Sequence, residues 1–279
     1  MKLAVLYNLV EKPTDAPALP ENWGYIVRRF IDSYTSHKAG ITHDLYICSS
    51  GAELSSSSRE LLEGLEYHAI TYKGLGWDIG AYQYCARRLV SYDLVFFLNS
   101  QAFVIQDNWL RYFSAAYENH GPGVYGASSS FEVSPHIRTS SFAVSPSLLL
   151  RYPLKVRSRY DACVFEHSPK NFSLWALSKN FPVYVVMRSG AYKLLDSREG
   201  GNIFRRGTQE DLLINDRHTL IYRASADHER KRLEWLADGK IPSEFRYLNR
   251  FGRVVARHKT LQNARALFSR IKKWPKSLA

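Results

Sequence analysis

A glycine-rich run at residues 74–85, GLGWDIGAYQYC, holds the residue types most suggestive of ligand binding. Glycine tolerates positive φ and lets the backbone approach a ligand closely, and Gly74, Gly76 and Gly80 supply that freedom. Asp78 falls where a helix is predicted to begin, so its carboxylate either caps that helix or accepts hydrogen bonds from a bound molecule. The glycines lack the G-x-G-x-x-G spacing of a dinucleotide-binding loop, so the sequence does not support that fold.

A second polar cluster, Asn99, Ser100 and Gln101, directly follows the apolar run YDLVFFL at residues 92–98. That run predicts a buried strand, which delivers the three polar side chains to one end of a sheet. Hard cations such as Mg²⁺ and Mn²⁺ prefer carboxylate oxygens, and these residues offer only neutral ones. We therefore predict no metal firmly and leave Mg²⁺ or Mn²⁺ open, because the amide hydrogens can instead meet phosphate oxygens.

Strand and helix patterns alternate through the first half of the chain. Apolar runs predict strands at KLAVLYNL, HDLYICSSG, EYHAITYKG and DLVFFLNS, with helical spacing in between at ENWGYIVRRFIDSYTSH and DIGAYQYCARRLVSY. Four serines at 55–58 predict the capped start of a short helix. The alternation predicts an α/β fold with a mostly parallel mixed sheet flanked by helices, and such sheets bind ligands outside the carboxyl ends of their strands.

The second half of the chain is less regular. Helices are predicted at DNWLRYFSAAYEN, from Pro146 onward, at TQEDLLIN and at ASADHERKRLEWLADGK. Strands are predicted at GPGVYGASSS, HIRTSSFAV and FPVYVVMRSG. We find no internal repeat, so residues 1–244 are predicted to form one domain with the segment 245–279 appended.

The net charge of +12 is concentrated in the segment 245–279, which has ten Lys or Arg and no acidic residue. The remainder has 28 basic and 26 acidic residues, which argues against a charged groove for nucleic acid. A basic amphipathic helix is suited to an anionic membrane surface, although it can also pack on the core or on a partner subunit. The apolar positions at helical spacing are Leu261, Ala264, Leu267, Phe268, Ile271 and Trp274.

The cysteine pattern and the hydropathy bound the cellular location. Cys48, Cys85 and Cys163 form neither a metal-ligand pattern nor an even disulfide set. There is no run of 18 apolar residues, so no membrane-spanning helix is expected. The start, MKLAVLYNLVEKPTD, predicts a first strand rather than a signal peptide. We therefore predict a cytoplasmic protein that is peripheral on the inner face of the cell membrane.

The ordered set of motifs resembles bacterial glycosyltransferases of the rhamnan-synthesis F type. The GWDIG run is similar to that family's GRDIG-like motif, YDLVFFLNSQAF to its following strand, and HIRTSSFAVSPSLL to its HLQSYFLAF-like segment. The resemblance covers residues 2–223 and implies a GT-A-like fold, with a nucleotide-sugar half at 1–105 and an acceptor half at 106–244. Two departures stand out. Trp77 replaces the usual Arg before Asp78, and Asn99-Ser100-Gln101 stands where GT-A enzymes often have Asp-x-Asp.

The resemblance and the strand ends together predict the donor site. Arg206 and Arg217, with Arg205 beside them, either neutralise a leaving diphosphate, which Arg matches bidentately, or form a solvated basic loop. His218 lies where GT-A enzymes sometimes place a metal ligand, although a hydrogen-bonded structural histidine is the alternative. The residues predicted to contact the nucleotide sugar are Tyr7, Asn8, Gly76, Asp78, Asn99, Ser100, Gln101, Arg206 and Arg217.

The acceptor half is predicted to supply the catalytic base. The segment FEHSPKNFSLWALSKNF resembles the family's acidic position before a helix, which makes Glu166 the candidate to take the proton of the acceptor hydroxyl. The alternative is a helix-start carboxylate favoured by the helix dipole. Asp161 is the second catalytic candidate and Asp211 a rival. The acceptor pocket is predicted to be lined by His136, Arg138 and Thr139, which as alternating strand residues can equally face solvent.

These predictions describe a glycosyltransferase that moves a hexose or deoxyhexose from a nucleotide sugar to a hydroxyl of a bacterial surface polysaccharide of O-antigen, capsule or rhamnan type. The acceptor would be lipid-linked, which gives the basic segment 245–279 its purpose at the membrane. Because the metal motif is absent, the alternative is a non-catalytic GT-A-like module that binds a glycan or a partner enzyme. A nucleic-acid partner is not expected.

Overall fold

The computed structural model describes residues 1–11 and 23–240, so the predictions for segment 245–279 lie outside the described residues. Its centre is an eight-stranded sheet in the order β11-β10-β6-β9-β4-β1-β2-β3. These strands are β1 (Leu3–Val10), β2 (Asp44–Ser50), β3 (His68–Tyr72), β4 (Leu94–Leu98), β6 (Val124–Gly126), β9 (Ser141–Val144), β10 (Val183–Met187) and β11 (Gly190–Lys193).

Six of these eight strands run in the same direction. The strands β3, β2, β1 and β4 are mutually parallel, while β9 lies antiparallel between β4 and β6, and β11 is antiparallel to β10. The predicted mostly parallel mixed sheet is therefore confirmed. The chain order reverses at β1, because β2 and β3 extend the sheet to one side and β4 to the other. Such a reversal opens a crevice at the carboxyl ends of β1 and β4.

Short ladders and helices complete the fold. Two small ladders pair β5 (Phe103–Val104) with β12 (Ile214–Asn215), and β7 (Ser129–Ser130) with β8 (His136–Ile137). A 3₁₀ turn spans Asp196–Glu199. The helices are α1 (Trp23–Ser36), α2 (Ser56–Leu61), α3 (Trp77–Ala86), α4 (Trp109–His120), α5 (Pro146–Arg151), α6 (Arg159–His167), α7 (Phe172–Ser178), α8 (Arg217–Ala224) and α9 (Asp227–Ala237).

Hydrophobic cores cover both faces of the sheet, as strand alternation requires. On one face Tyr7 stacks on Phe30 of α1, with 3.7 Å between ring centroids, within a cluster that also includes Trp109 of α4. On the other face Tyr82 of α3 packs 5.0 Å from Phe97, in a cluster that includes side chains of α5, α6 and α7. Alternation along β1 therefore turns Tyr7 toward α1 and its neighbour Asn8 toward α3.

Several local predictions are confirmed and two are wrong. The Ser55 hydroxyl accepts from the Ser58 N–H and caps α2, and α5 begins at Pro146. The segment TQEDLLIN is a turn followed by β12 and not a helix. Glu166 lies in the last turn of α6, so it is not a helix-start carboxylate. Among the described residues, no helix has the length and apolar character needed to cross a membrane.

Candidate active site at the sheet crevice

The crevice between β1 and β4 holds a polar pair built from two distant parts of the sequence. Asn8, fully buried near the end of β1, donates through Nδ2 to Oδ1 of Asp78 at 2.8 Å. Its own Oδ1 accepts from the Ser50 hydroxyl at the end of β2. Asp78 stands in the first turn of α3, which packs across the ends of these strands. The side-chain network thus fixes a carboxylate at the position where α/β sheets bind ligands.

Asp78 does not cap α3. The N-cap residue is Gly76, no side chain of residues 1–11 or 23–240 caps this helix, and the Asp78 carboxylate turns toward Asn8 instead. Burial raises the pKa of Asp78 from 3.8 to about 6, although Asn8 and Asn99 favour its charged form, and the charge of Glu166 raises the pKa further. A half-buried carboxylate with a raised pKa in a crevice marks a candidate functional site.

The glycines around Asp78 are required by close packing. The Gly76 N–H donates to the Tyr72 hydroxyl at 3.0 Å. A Cβ on Gly76 would lie 2.4 Å from the Val156 carbonyl oxygen, and one on Gly80 would lie 2.4 Å from the Tyr72 hydroxyl. Both contacts are far too short for any side chain. Gly76 therefore sets the position of the loop, and its predicted contact with the donor stays a prediction.

The polar cluster after β4 forms a tight turn. The Gln101 N–H donates to the Asn99 side-chain oxygen at 3.0 Å, and the Ala102 N–H donates to the Asn99 carbonyl at 3.1 Å. The Ser100 carbonyl accepts from the Tyr7 hydroxyl at 3.1 Å. Asn99 thus lies beside Asp78 at the crevice, whereas Tyr7 supports the turn from the opposite face of the sheet. The predicted contacts of Tyr7, Ser100 and Gln101 with the donor stay predictions.

Glu166 is held close to Asp78 by the segment that leads into β9. Its Oε1 accepts from the Thr139 N–H at 2.9 Å, and the next residue, Ser140, accepts from the Asn99 N–H at 2.9 Å. Burial acts to raise the pKa of Glu166, but His167, His136, the Thr139 N–H and Arg138 outweigh it and hold this pKa below 4.5. Two neighbouring carboxylates therefore have oppositely shifted pKa values, a pattern that separates acid and base roles.

His136 lies close to Glu166, beside His167. Its Nδ1 donates to the Ser134 carbonyl at 2.7 Å, and its ring lies 4.7 Å from that of His167 in an edge-on arrangement. Burial and the neighbouring His167 lower the pKa of His136 to about 4, so the ring is neutral at neutral pH. His167 lies 3.3 Å from Glu166, between Nε2 and Oε2. His136 and Thr139 therefore both lie beside Glu166, and their predicted role in lining an acceptor pocket stays a prediction.

Arg138 is buried in an ion pair and does not point freely into a pocket. Its Nη2 lies 2.7 Å from Oδ2 of Asp216, and its guanidinium stacks 3.7 Å above the Phe204 ring. Asp216 also caps α8 by accepting from the His218 and Thr219 N–H groups. Burial opposes its charge, but Arg138 and these donors lower the pKa of Asp216 to about 2. Removing one partner of such a pair would leave an uncompensated buried charge.

The arginines of the stretch 205–217 differ in their surroundings, because some are held by other protein groups and one is exposed to solvent. The guanidinium of Arg206 is engaged by Asp238 and by the Arg198 carbonyl, each at 2.8 Å, so the structure does not bring it to the crevice. Arg217 is exposed at the start of α8, beside exposed His218. Arg205 packs against Phe204 and its pKa falls to about 10 through burial and the charge of nearby Arg138.

The two other carboxylate candidates lie in local structures. Asp161 accepts from the Arg157 N–H and the Ser158 hydroxyl in the first turn of α6, at 3.0 and 2.8 Å. Asp211 pairs with Arg188 at 3.6 Å and also accepts from the Ser189 hydroxyl. Both carboxylates therefore have structural partners, and a catalytic role for Asp161 stays a prediction.

Sequence reasoning missed one residue on the crevice floor. The Tyr82 hydroxyl is buried and has no hydrogen-bond partner among the described residues. Burial and the charges of Asp78 and Glu166 keep its pKa well above 10, so it is a donor directed near both carboxylates. A signal was present in the sequence, because Tyr82 follows Asp78 by four positions and so lies on the same side of a helix.

The residues at the crevice do not fit an Asp-x-Asp metal site. Residues 1–11 and 23–240 contain no group of three His, Cys, Asp or Glu side chains able to hold a metal ion. The Asn99 oxygen already accepts from Gln101, and Asn8 donates to one oxygen of Asp78. Hard cations need several carboxylate or carbonyl oxygens at once, which these side chains do not present.

No known protein-family model matches the sequence, and no curated protein matches it either. Part of the fold is similar to HddC from Yersinia pseudotuberculosis, at 8% identity and a TM-score of 0.40, covering 56% of this chain and 82% of HddC. The mannosyltransferase PcManGT from Pyrobaculum calidifontis is 10% identical, with a TM-score of 0.41, and the match covers 58% of this chain and 50% of PcManGT.

Glucosyl-3-phosphoglycerate synthase from Mycobacterium tuberculosis is 13% identical, with a TM-score of 0.36 and coverage of 53% of this chain and 56% of that protein. Similarity this weak assigns neither a family nor an activity. The resemblance to the rhamnan-synthesis F type is therefore not confirmed, and the functional conclusion depends on the crevice.

Proposed function

We propose that this chain is a GT-A-like glycosyltransferase that moves a sugar from a nucleotide-sugar donor to a hydroxyl of a bacterial surface polysaccharide. The observation that carries the proposal is the meeting of Asp78 and Glu166 at the chain reversal of an α/β sheet. Asn8 and Asn99 support the first carboxylate, and the Thr139 N–H supports the second. A donor side and an acceptor side thus share one crevice.

In the transfer step Glu166 is the proton acceptor and the acceptor hydroxyl is the nucleophile. Glu166, ionised at neutral pH because its pKa is lowered, takes the proton of the acceptor hydroxyl. The hydroxyl oxygen forms a bond to the anomeric carbon as the bond from that carbon to the diphosphate oxygen breaks. The nucleoside diphosphate leaves with the electron pair. Asp78 accepts hydrogen bonds from the nucleotide, and Arg217, the predicted donor-binding arginine that the fold leaves exposed, stabilises the negative leaving group.

The lipid-linked acceptor and the inner-membrane location belong to the same proposal. The ten basic residues of segment 245–279 would hold the enzyme at an anionic surface, where a lipid-linked glycan is found. The donor sugar is a hexose or deoxyhexose.

A donor screen followed by transfer assays tests the proposal. Nucleotide sugars are screened by thermal shift, because a ligand that binds only the folded state raises its melting temperature. Donor turnover is then measured for the wild type, for Glu166→Gln and for the control Glu63→Gln, which alters an exposed carboxylate. We expect turnover in EDTA, its loss in Glu166→Gln with donor binding retained, and no change in the control.

Other outcomes separate the alternatives. Loss of turnover in EDTA with recovery on adding Mn²⁺ would show a metal-dependent enzyme. Donor or glycan binding without any turnover would show a non-catalytic binding module. If no nucleotide sugar shifts the melting temperature and none is turned over, the glycosyltransferase proposal is wrong.

A further inference from the structure

Trp77 has an unusual backbone conformation and an unusual exposure. Its φ angle is +56°, and 58% of its surface is exposed at the start of α3. A bulky residue in the left-handed region is a genuine outlier, because its Cβ crowds the backbone. Glycine would relieve this strain at no steric cost. The chain nevertheless places its largest side chain type there, next to Asp78.

The neighbouring loop keeps Trp77 in this position. The Tyr72 hydroxyl accepts from the Gly76 N–H, and the Val156 carbonyl and Gly80 pack closely against Gly76. The Arg159 guanidinium of α6 lies over the indole, 5.1 Å from the ring centroid, and supports one face of the ring. Arg159 has no acidic partner within residues 1–11 and 23–240. The exposed fraction of the indole therefore adjoins a positive charge.

Three chemical features thus occur together at the edge of the crevice. They are a flat aromatic ring at Trp77, a cation at Arg159 that has no acidic partner among the described residues, and a hydrogen-bond-accepting carboxylate at Asp78. A nucleoside diphosphate has a flat base, negative phosphates and ribose hydroxyls. Observed strain is a basis for inferring function when the surrounding structure fixes it, as it does here.

We infer that the Trp77 indole, supported by Arg159, stacks on the base of the donor nucleotide while Asp78 accepts from the nucleoside. The inference rests on the proposed function and extends it, because it names the contact that recognises the base. Stacking on an aromatic ring tolerates any base, since every base has a π face. Trp77 therefore contributes affinity for nucleotides in general and does not select the base.

Binding of UDP and GDP, with inorganic pyrophosphate as a probe that has no base, tests this inference. Dissociation constants are measured by calorimetry for the wild type, Trp77→Phe, Trp77→Gly and the control Leu75→Ala. Leu75 is 81% exposed in the same loop but has no ring. We expect Trp77→Gly to bind both nucleotides about tenfold or more weakly, because one base stack is lost. Trp77→Phe and Leu75→Ala should bind them within about threefold of the wild type.

Stability and the pyrophosphate probe separate stacking from a loop effect. Trp77→Gly should keep or raise the melting temperature, because glycine accepts the positive φ. Pyrophosphate binding should be equal in the wild type and Trp77→Gly. Equal weakening for pyrophosphate would mean that the loop shape has changed, and unchanged nucleotide affinity would mean that Trp77 does not stack. Either result overturns the inference and leaves the proposed function standing. If UDP, GDP and nucleotide sugars all fail to bind the wild type, both proposals fall.

Discussion

Asp78 should make the free protein less stable at neutral pH, because the folded state raises its pKa. An unfolded chain ionises this carboxyl above pH 3.8, whereas the folded chain does so only above about pH 6. Between these values the folded state binds more protons, so stability falls as the pH rises through this window. The loss of stability caused by Asp78 is complete above the pKa of the folded state and absent below the pKa of the unfolded state. Asp78→Asn, which removes the charge with little change of shape, should therefore stabilise the protein.

The size of this gain follows from the pKa shift. Raising a pKa from 3.8 to about 6 corresponds to about 3 kcal/mol at pH 7.5, at about 1.4 kcal/mol per pKa unit. The asparagine oxygen can still accept from Asn8, but its new amide hydrogens need partners, which reduces the gain to about 1–3 kcal/mol. For a chain of this size the melting temperature should rise by roughly 2–10 °C.

Urea denaturation at pH 7.5 and at pH 4.0 measures the predicted pattern. Asp78→Asn should be more stable than the wild type at pH 7.5 and nearly equal to it at pH 4.0. The control Asp32→Asn changes an exposed carboxylate on α1 and should change stability little at either pH. A destabilised Asp78→Asn, or a difference that does not depend on pH, would refute the assignment of an unfavourable, partly buried charge to Asp78. Donor binding should weaken in the same variant despite its greater stability.

Three further predictions concern other parts of the molecule. Arg138→Ala should lower the free energy of unfolding by about 3–5 kcal/mol in urea, since it leaves Asp216 charged and buried, and a smaller loss than about 1 kcal/mol would contradict the buried pair. Donor affinity should fall as the pH drops below about 6, where Asp78 becomes protonated. If the donor affinity does not change between pH 5 and 8, the ionised Asp78 carboxylate does not contact the donor. Truncation after Glu244 should abolish salt-sensitive binding to anionic vesicles, at about 1 kcal/mol per basic residue removed, while sparing donor binding. If the truncated protein still binds vesicles, the membrane role of segment 245–279 is wrong.

The first half of the fold could be predicted because its pattern is local. Four apolar runs, each separated from the next by a polar or amphipathic segment, correspond to β1–β4, and the serines at 55–58 correspond to the start of α2. The second half depends on long-range pairing, which periodicity does not report. TQEDLLIN has helix-forming residues, yet Ile214 and Asn215 pair with β5. Helices α6 and α8 were not predicted because each is short, with 9 and 8 residues, although Ser158 and Asp216 are caps of the kind that mark a helix start.

The candidate site was partly predictable for the same reason. Asp78 and Asn99 each follow a strand or a glycine loop, and strand ends gather at one edge of a parallel sheet. Their partners come from elsewhere in the chain. The sequence around Thr139 and Arg138 does not indicate that the Thr139 N–H donates to Glu166 or that Arg138 forms an ion pair with Asp216. Those contacts require the antiparallel strand β9 to enter beside β4, which places Ser140 against Asn99.

Asn99 is the residue that best explains how this crevice manages without an Asp-x-Asp pair. Its side-chain oxygen accepts from the Gln101 N–H and closes the turn after β4, while the same residue favours the charged form of Asp78. An aspartate at this position would place a third carboxylate beside Asp78 and Glu166, and the charge of Glu166 already raises the pKa of Asp78. A site with such an aspartate would need a cation to be stable, whereas a neutral amide needs none. The asparagine is therefore consistent with a crevice in which donor phosphates meet amide and guanidinium groups directly.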